Sequence, residues 1–121
     1  MKRDFSILVV DDSLTNRMLL VRYLQQDGFK TLEADGAGSA LAILEEQRPD
    51  LILLDVVMPD MSGFELCREL KACETTRDIP VVFLTSLDTR ENKVKGLELG
   101  AVDFITKHRQ FSGLFQTDKS R

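Results

Sequence analysis

The sequence predicts an α/β domain built on a doubly wound, five-stranded parallel sheet, and three observations lead there. The runs Ile7-Leu8-Val9-Val10 and Leu51-Ile52-Leu53-Leu54 are apolar at every position, as strands covered on both faces require. Helix-like stretches separate the strand-like runs along the chain, so the connections read as the crossovers that parallel strands need. Both runs then end abruptly in acid, at Asp11-Asp12 and at Asp55. In an open parallel sheet the ligand crevice lies outside the carboxyl ends of the strands, so three carboxylates would converge at one end. Like charges at that range repel, a cost that a bound cation removes.

Each element has its own local signal. The first strand covers residues 5–10. Asp12 or Ser13 caps a helix over residues 14–26, with Met18, Leu19, Val21 and Leu24 as its apolar stripe and Asp27-Gly28 as its stop. A short second strand spans 30–34. Residues 37–46 form a helix carrying Ala40, Leu41, Ile43 and Leu44, closed off by Pro49, and the third strand is 51–55. After the loop Met58-Pro59-Asp60-Met61-Ser62-Gly63, Ser62 caps a helix running to about Lys71, with Phe64, Cys67 and Leu70 inward. Pro80 opens a fourth strand over 81–84, a helix covers 89–99, and 102–106 is the fifth strand. The helix around Val94 and Leu97 has a thin apolar stripe and an internal Gly96, which put it at the less stable end of the fold.

The chain of 121 residues suits one domain with a real core. At 43% apolar and 30% charged residues it reads as globular. Its net charge of −4 offers neither a basic footprint for direct nucleic-acid binding nor a polybasic membrane patch. The first apolar run is broken by Asp11, so it is no signal peptide, and nothing approaches the ~20 apolar residues of a membrane span. Cys67 and Cys73 form no disulfide framework and fit small apolar positions on a helix in a reducing cytosol. The expected location is cytoplasmic. Gly36-Ala37-Gly38 lacks a third glycine and is a loop, while Met58 and Met61 are packing residues.

Polar residues gather at the strand ends: Asp11-Asp12 after the first, Asp55 after the third, Thr85 after the fourth and Lys107 after the fifth. Carboxylates with water suit a hard cation such as Mg2+, often shared with a phosphate. A hydroxyl and an ammonium in the same crevice are donors for phosphoryl oxygens. Phosphoryl transfer is mostly positioning and charge neutralisation, and a carboxylate can itself be the nucleophile, giving an aspartyl phosphate.

The segments Ile7-Leu8-Val9-Val10-Asp11-Asp12-Ser13, Asp55-Val56-Val57-Met58-Pro59-Asp60-Met61-Ser62-Gly63, Val81-Val82-Phe83-Leu84-Thr85-Ser86 and Gly100-Ala101-Val102-Asp103-Phe104-Ile105-Thr106-Lys107 together resemble the receiver domain of two-component response regulators, of the chemotaxis type. The resemblance runs from Phe5 to Lys107 and implies a flavodoxin-like sheet of order 2-1-3-4-5. It implies Asp55 as phospho-acceptor, served by a sensor histidine kinase or phosphotransfer protein in a phosphorelay. Mg2+ would be held by Asp12 directly, Asp11 through water, Asp55 and the backbone carbonyl of Val57. Lys107 would pair with Asp55 and then with the phosphoryl group. Thr85 would move to hydrogen-bond that group and Phe104 would turn inward behind it, carrying the signal to the face of the fourth helix and fifth strand. Such a module catalyses its own modification and turns over no external substrate, so it is not an enzyme in the usual sense. Val57 and Leu87, two residues past Asp55 and Thr85, flank the path of a hydrolytic water. Both are apolar and can neither orient nor activate it, so self-dephosphorylation is expected to be slow.

The chain departs from the family's pattern at its end. The family has Pro after the Lys of strand five, preceded by a cis bond, and then an amphipathic fifth helix. Here the residues are Lys107-His108. A cis bond before a residue other than Pro costs about 2.5–4 kcal/mol, so trans is expected. Phe111, Leu114 and Phe115 are the only stripe in the tail, interrupted by Ser112-Gly113. The receiver is therefore expected over residues 5–107, with 108–121 an atypical tail and the fifth helix missing or degenerate. Either a second copy covers the sheet there, as an intertwined homodimer through the C-terminal region, or the tail docks irregularly. Two alternatives stand beside the signalling receiver. One is a phosphorylation-independent interaction module. The other is an aspartyl-phosphate hydrolase, which wants a second Asp two residues after the nucleophile, where this chain has Val57.

Overall fold

The computed structural model describes residues 5–85 and 90–106. The chain alternates β1 (Ser6–Val10), α1 (Leu14–Gln26), β2 (Lys30–Ala34), α2 (Ala37–Glu46), β3 (Leu51–Leu54), α3 (Gly63–Ala72), β4 (Val81–Thr85), α4 (Arg90–Glu98) and β5 (Asp103–Thr106). All pairings are parallel and the sheet order is β2-β1-β3-β4-β5. The expected doubly wound sheet and its strand order are both present. Four helices lie among the described residues. The stretch in which a fifth would fall, with the Lys107-His108 bond, lies outside them.

Period-two alternation divides the sheet's side chains between two cores. Leu8, Val10, Ile52, Leu54, Val81 and Phe83 join Phe64, Leu66, Cys67 and Leu70 of α3 and Ala37 and Ala40 of α2. Ile7, Val9 and Leu84 face the other way, onto Leu20, Val21 and Leu24 of α1. This explains the unbroken apolar runs. A strand with helices on both faces has no solvent side to mark with polar residues.

The stripe expected on α1 is rotated. Leu20, Val21 and Leu24 are buried, whereas Met18 and Leu19 are 51% and 42% exposed. Leu20 sits four residues before Leu24, the spacing that keeps two side chains on one face, and Met18 falls off that line. Ser13 makes the N-cap, its hydroxyl accepting from the Asn16 N–H at 3.3 Å. In α3, Ser62 and Glu65 complete a reciprocal capping box. Ser62→Ala is expected to lower the urea-unfolding free energy by about 1 kcal/mol. A change below the resolution of the titration would show that the box is idle.

Helix α4 contacts the sheet differently from its apolar residues' promise. Val94 and Leu97 are both exposed, and the buried position is Gly96. A Cβ there would stand 2.9 Å from ring carbons of both Phe83 and Phe104. The missing side chain thus lets the helix backbone lie against two aromatic rings, a close approach that a stripe reading cannot see.

Candidate phosphorylation and metal site

Asp11 directly follows β1 and Asp55 directly follows β3. Because β1 and β3 pair in parallel with Val10 beside Leu54, the two acids emerge side by side. The Asp55 N–H donates to the Val10 carbonyl at 3.0 Å and the Asp11 N–H to the Ala34 carbonyl at 3.1 Å, extending the ladders beyond the strands. Asp11 and Asp55 are only 4% and 8% exposed, while Asp12 is open to solvent. A carboxylate oxygen from each of the three lies within 4.8 Å of the others. The geometry therefore assembles the three acids expected from the strand ends. Two buried carboxylates and one exposed one form an all-oxygen donor set open to water, which fits a hard divalent cation.

Neighbouring groups hold these acids in place. Asp11 Oδ1 accepts from the Ser13 N–H at 2.9 Å, and its backbone carbonyl accepts from Arg17 Nη1 at 2.6 Å. The same guanidinium meets Glu33 of β2, 3.1 Å from Nε to Oε1. Gly63 comes against the loop beyond β3, its N–H donating to the Val56 carbonyl at 2.7 Å. Val57 is 56% exposed at the start of that loop, and Met58 is buried in the core beneath it. Asp60, at the loop's tip, accepts from the N–H groups of Gly38 at 3.0 Å and Ala37 at 3.2 Å. Those two bonds, Gly38's the larger influence, hold its carboxyl below the usual carboxylate range.

Thr85 is the last residue of β4, in register with Thr106 of β5. Phe104 lies inside, 5% exposed, its ring 5.9 Å from that of Phe83. The inward orientation expected of it after phosphorylation is already present in this structure, in the space that Gly96 leaves. Leu87, Lys107 and the tail lie outside the described residues. Arg17 stands outside every sequence motif, Gly36 reads only as loop, and Asp60 and Gly63 read only as members of the segment after the third strand. Only the Gly after the Ser62 cap had a visible local signal. The others meet the site through contacts across 16 or more positions, as in Arg17–Glu33, or through backbone groups. The two cysteines differ: Cys67 is buried, which pushes its thiol pKa up, but Cys73 is exposed at the end of α3.

A family model described as the response regulator receiver domain matches residues 7–117. The chain belongs to this family. It is a receiver of the chemotaxis type, a signal-transduction module of two-component systems and phosphorelays. It is 45% identical over 102 residues to the phosphate regulon transcriptional regulatory protein PhoB of Pseudomonas aeruginosa, covering 84% of this chain but 44% of PhoB. The receiver thus spans less than half the length of that relative. Chemotaxis protein CheY4 of Vibrio cholerae superposes with a TM-score of 0.85 at 30% identity, over 97% of this chain and 98% of that one. Response regulator TrrA of Thermotoga maritima, solved with Mg2+ and BeF, superposes with a TM-score of 0.79 at 28% identity over 96% and 97% of the two chains. The acid cluster and metal-bound relatives together support divalent-metal binding at this receiver's site. Among the described residues no helix is long and apolar enough to cross a membrane.

Proposed function

We propose that this receiver accepts a phosphoryl group on Asp55 from phosphohistidine of a sensor kinase or phosphotransfer protein, with Mg2+ as its metal. The observation that carries this is the meeting of the Asp11, Asp12 and Asp55 carboxylates within 4.8 Å at the carboxyl end of the sheet. Asp55 fits the nucleophile because it leaves the centre of the sheet on a ladder hydrogen bond, which fixes its backbone. An Asp55 carboxylate oxygen attacks phosphorus, the P–N bond breaks, and its electron pair leaves with the donor's imidazole. Asp11, Asp12, Asp55 and the Val57 carbonyl would hold Mg2+, which supplies charge neutralisation for the phosphoryl oxygens. Lys107 would hold a phosphoryl oxygen from strand five, and Thr85 would donate to another from strand four. Phe83, Phe104 and Gly96 then form the contact by which movement at Thr85 reaches α4.

The direct test is incubation with acetyl phosphate and Mg2+, followed by intact-mass measurement. A mass gain of one phosphoryl group that needs the metal is expected. No gain under any donor would overturn the reading and favour the phosphorylation-independent module. The acyl phosphate is also expected to persist, because Val57 presents an exposed apolar side chain beside it. Val57→Asn or Leu87→Glu should hasten its decay about tenfold by orienting or activating water. Unchanged lifetimes in both variants would show that the apolar residues at positions 57 and 87 do not set the decay rate.

A further inference from the structure

We infer that Asp60 is a positioning residue of the metal site, clamping the loop after β3 to the amino end of α2 so that the Val57 carbonyl is held toward the acid cluster. This rests on the phosphoryl-acceptor reading, in which that carbonyl is a metal ligand. Helix α2 begins without a side-chain cap, since its N-cap is Gly36. Its first N–H groups would need water or another acceptor. Asp60 supplies that acceptor from 22 residues away, one oxygen to Gly38 and the other to Ala37. A carboxylate at a helix N-terminus is favoured by hydrogen bonding and by the helix dipole together.

Gly36 is fitted to this arrangement. A Cβ at position 36 would stand 3.0 Å from Asp60 Oδ1 and 3.1 Å from Oδ2. Its backbone is extended, at φ 176°, and any residue adopts that conformation. What the glycine provides is therefore room for the carboxylate. The loop is anchored at its base by Met58 in the core and at its end by the Gly63 N–H on Val56. Its exposed tip, Pro59-Asp60, is fastened through the Asp60 side chain. Arg17 makes the matching tie for the other metal loop, from the Asp11 carbonyl to Glu33. Both loops that would supply ligands are thus braced against neighbouring elements, one against Glu33 near the end of β2 and the other against the first residues of α2. Neither anchor is a group of the reaction itself.

The test measures Mg2+ affinity by calorimetry, thermal stability, and the rate of phosphorylation by acetyl phosphate, for wild type, Asp60→Asn, Asp60→Ala and Gly36→Ala. Mg2+ affinity is expected to fall about tenfold in Asp60→Ala, as for other groups that orient metal ligands. The loss should be smaller in Asp60→Asn and Gly36→Ala, and the phosphorylation rate should recover at saturating Mg2+. In the double variant Gly36→Ala/Asp60→Ala, the glycine substitution should add nothing to the loss of metal affinity, since its target is gone. Should Asp60→Ala not fold, the Asn and Gly36 variants carry the comparison. Lowered melting temperature with wild-type Mg2+ affinity would overturn the inference, leaving Asp60 a helix cap only. So would additive losses in the double variant. Wild type that takes no phosphoryl group would instead fail the underlying reading.

Discussion

Asp55→Ala is expected to abolish acyl-phosphate formation entirely, whereas Asp55→Asn, equally unable to accept phosphorus, should make the metal-free fold more stable. The second effect follows from the site's construction. Three carboxylates approach within 4.8 Å, two of them buried, and two like charges about 4 Å apart cost about 1 kcal/mol even in water, more at a protein surface. Neutralising Asp55 keeps the side chain's shape and removes two of the three repulsive pairs, together worth more than about 2 kcal/mol near a protein surface. It also gives up the ion pair that Lys107 would make with Asp55, which offsets part of that relief. A gain of about 1 kcal/mol in urea unfolding without metal is expected. Conversely, wild type should gain about 1.4 kcal/mol when Mg2+ reaches ten times its Kd. The Asn variant should gain much less, having lost a ligand charge. If Asp55→Asn were destabilised without metal and responded to Mg2+ like wild type, the acids would not act as a metal site. If Asp55→Ala still gained a phosphoryl group, the acceptor would be another residue.

This division between repulsion and recruitment was legible because it is written in consecutive residues. A strand's end and the acid that follows it occupy neighbouring positions, and β-sheet register carries both acids to one place. Helix caps are equally local, and Ser13 and Ser62 sit where a capping hydroxyl was expected. The misread features depend on distance in sequence. Met18 and Leu19 look apolar enough for the core, but which residues of α1 face inward is set by how the helix docks on Ile7 and Val9. Gly96 looks like a weak point in α4, although its lack of a side chain is what admits the rings of Phe83 and Phe104. Asp60 reads as a loop acid until α2 is brought beside it. Pairwise packing of this kind leaves no period or motif in one chain.

Gly63→Ala is expected to be the most damaging single methyl addition in the described fold, and Gly28→Ala shows why the two must be compared. Gly28, just after α1, has a φ of 94°, and a Cβ there meets nothing within 4 Å. Its substitution costs only the left-handed conformation, about 1–2 kcal/mol, and lies at the far end of α1 from the acids. Gly63 has no such backbone requirement. Its hydrogen atom faces the chain at the site itself. A Cβ would overlap the Asp55 carbonyl oxygen and stand 2.9 Å from the Asp55 carbonyl carbon and 3.0 Å from the Val56 Cα. These are backbone atoms of a strand end, held by the Asp55 N–H to Val10 and the Gly63 N–H to Val56. No rotamer change relieves the overlap, so either α3 withdraws or the segment carrying Asp55 shifts. Overpacking of this kind costs about 3 kcal/mol, a large fraction of an ordinary domain's stability. The displacement also falls on the proposed nucleophile, where small misplacements are expensive in rate. Gly63→Ala should therefore lose both urea stability and acetyl-phosphate reactivity, while Gly28→Ala loses stability alone. Equal stability losses, or a Gly63→Ala protein that phosphorylates at the wild-type rate, would mean that α3 moves freely and does not set the position of Asp55.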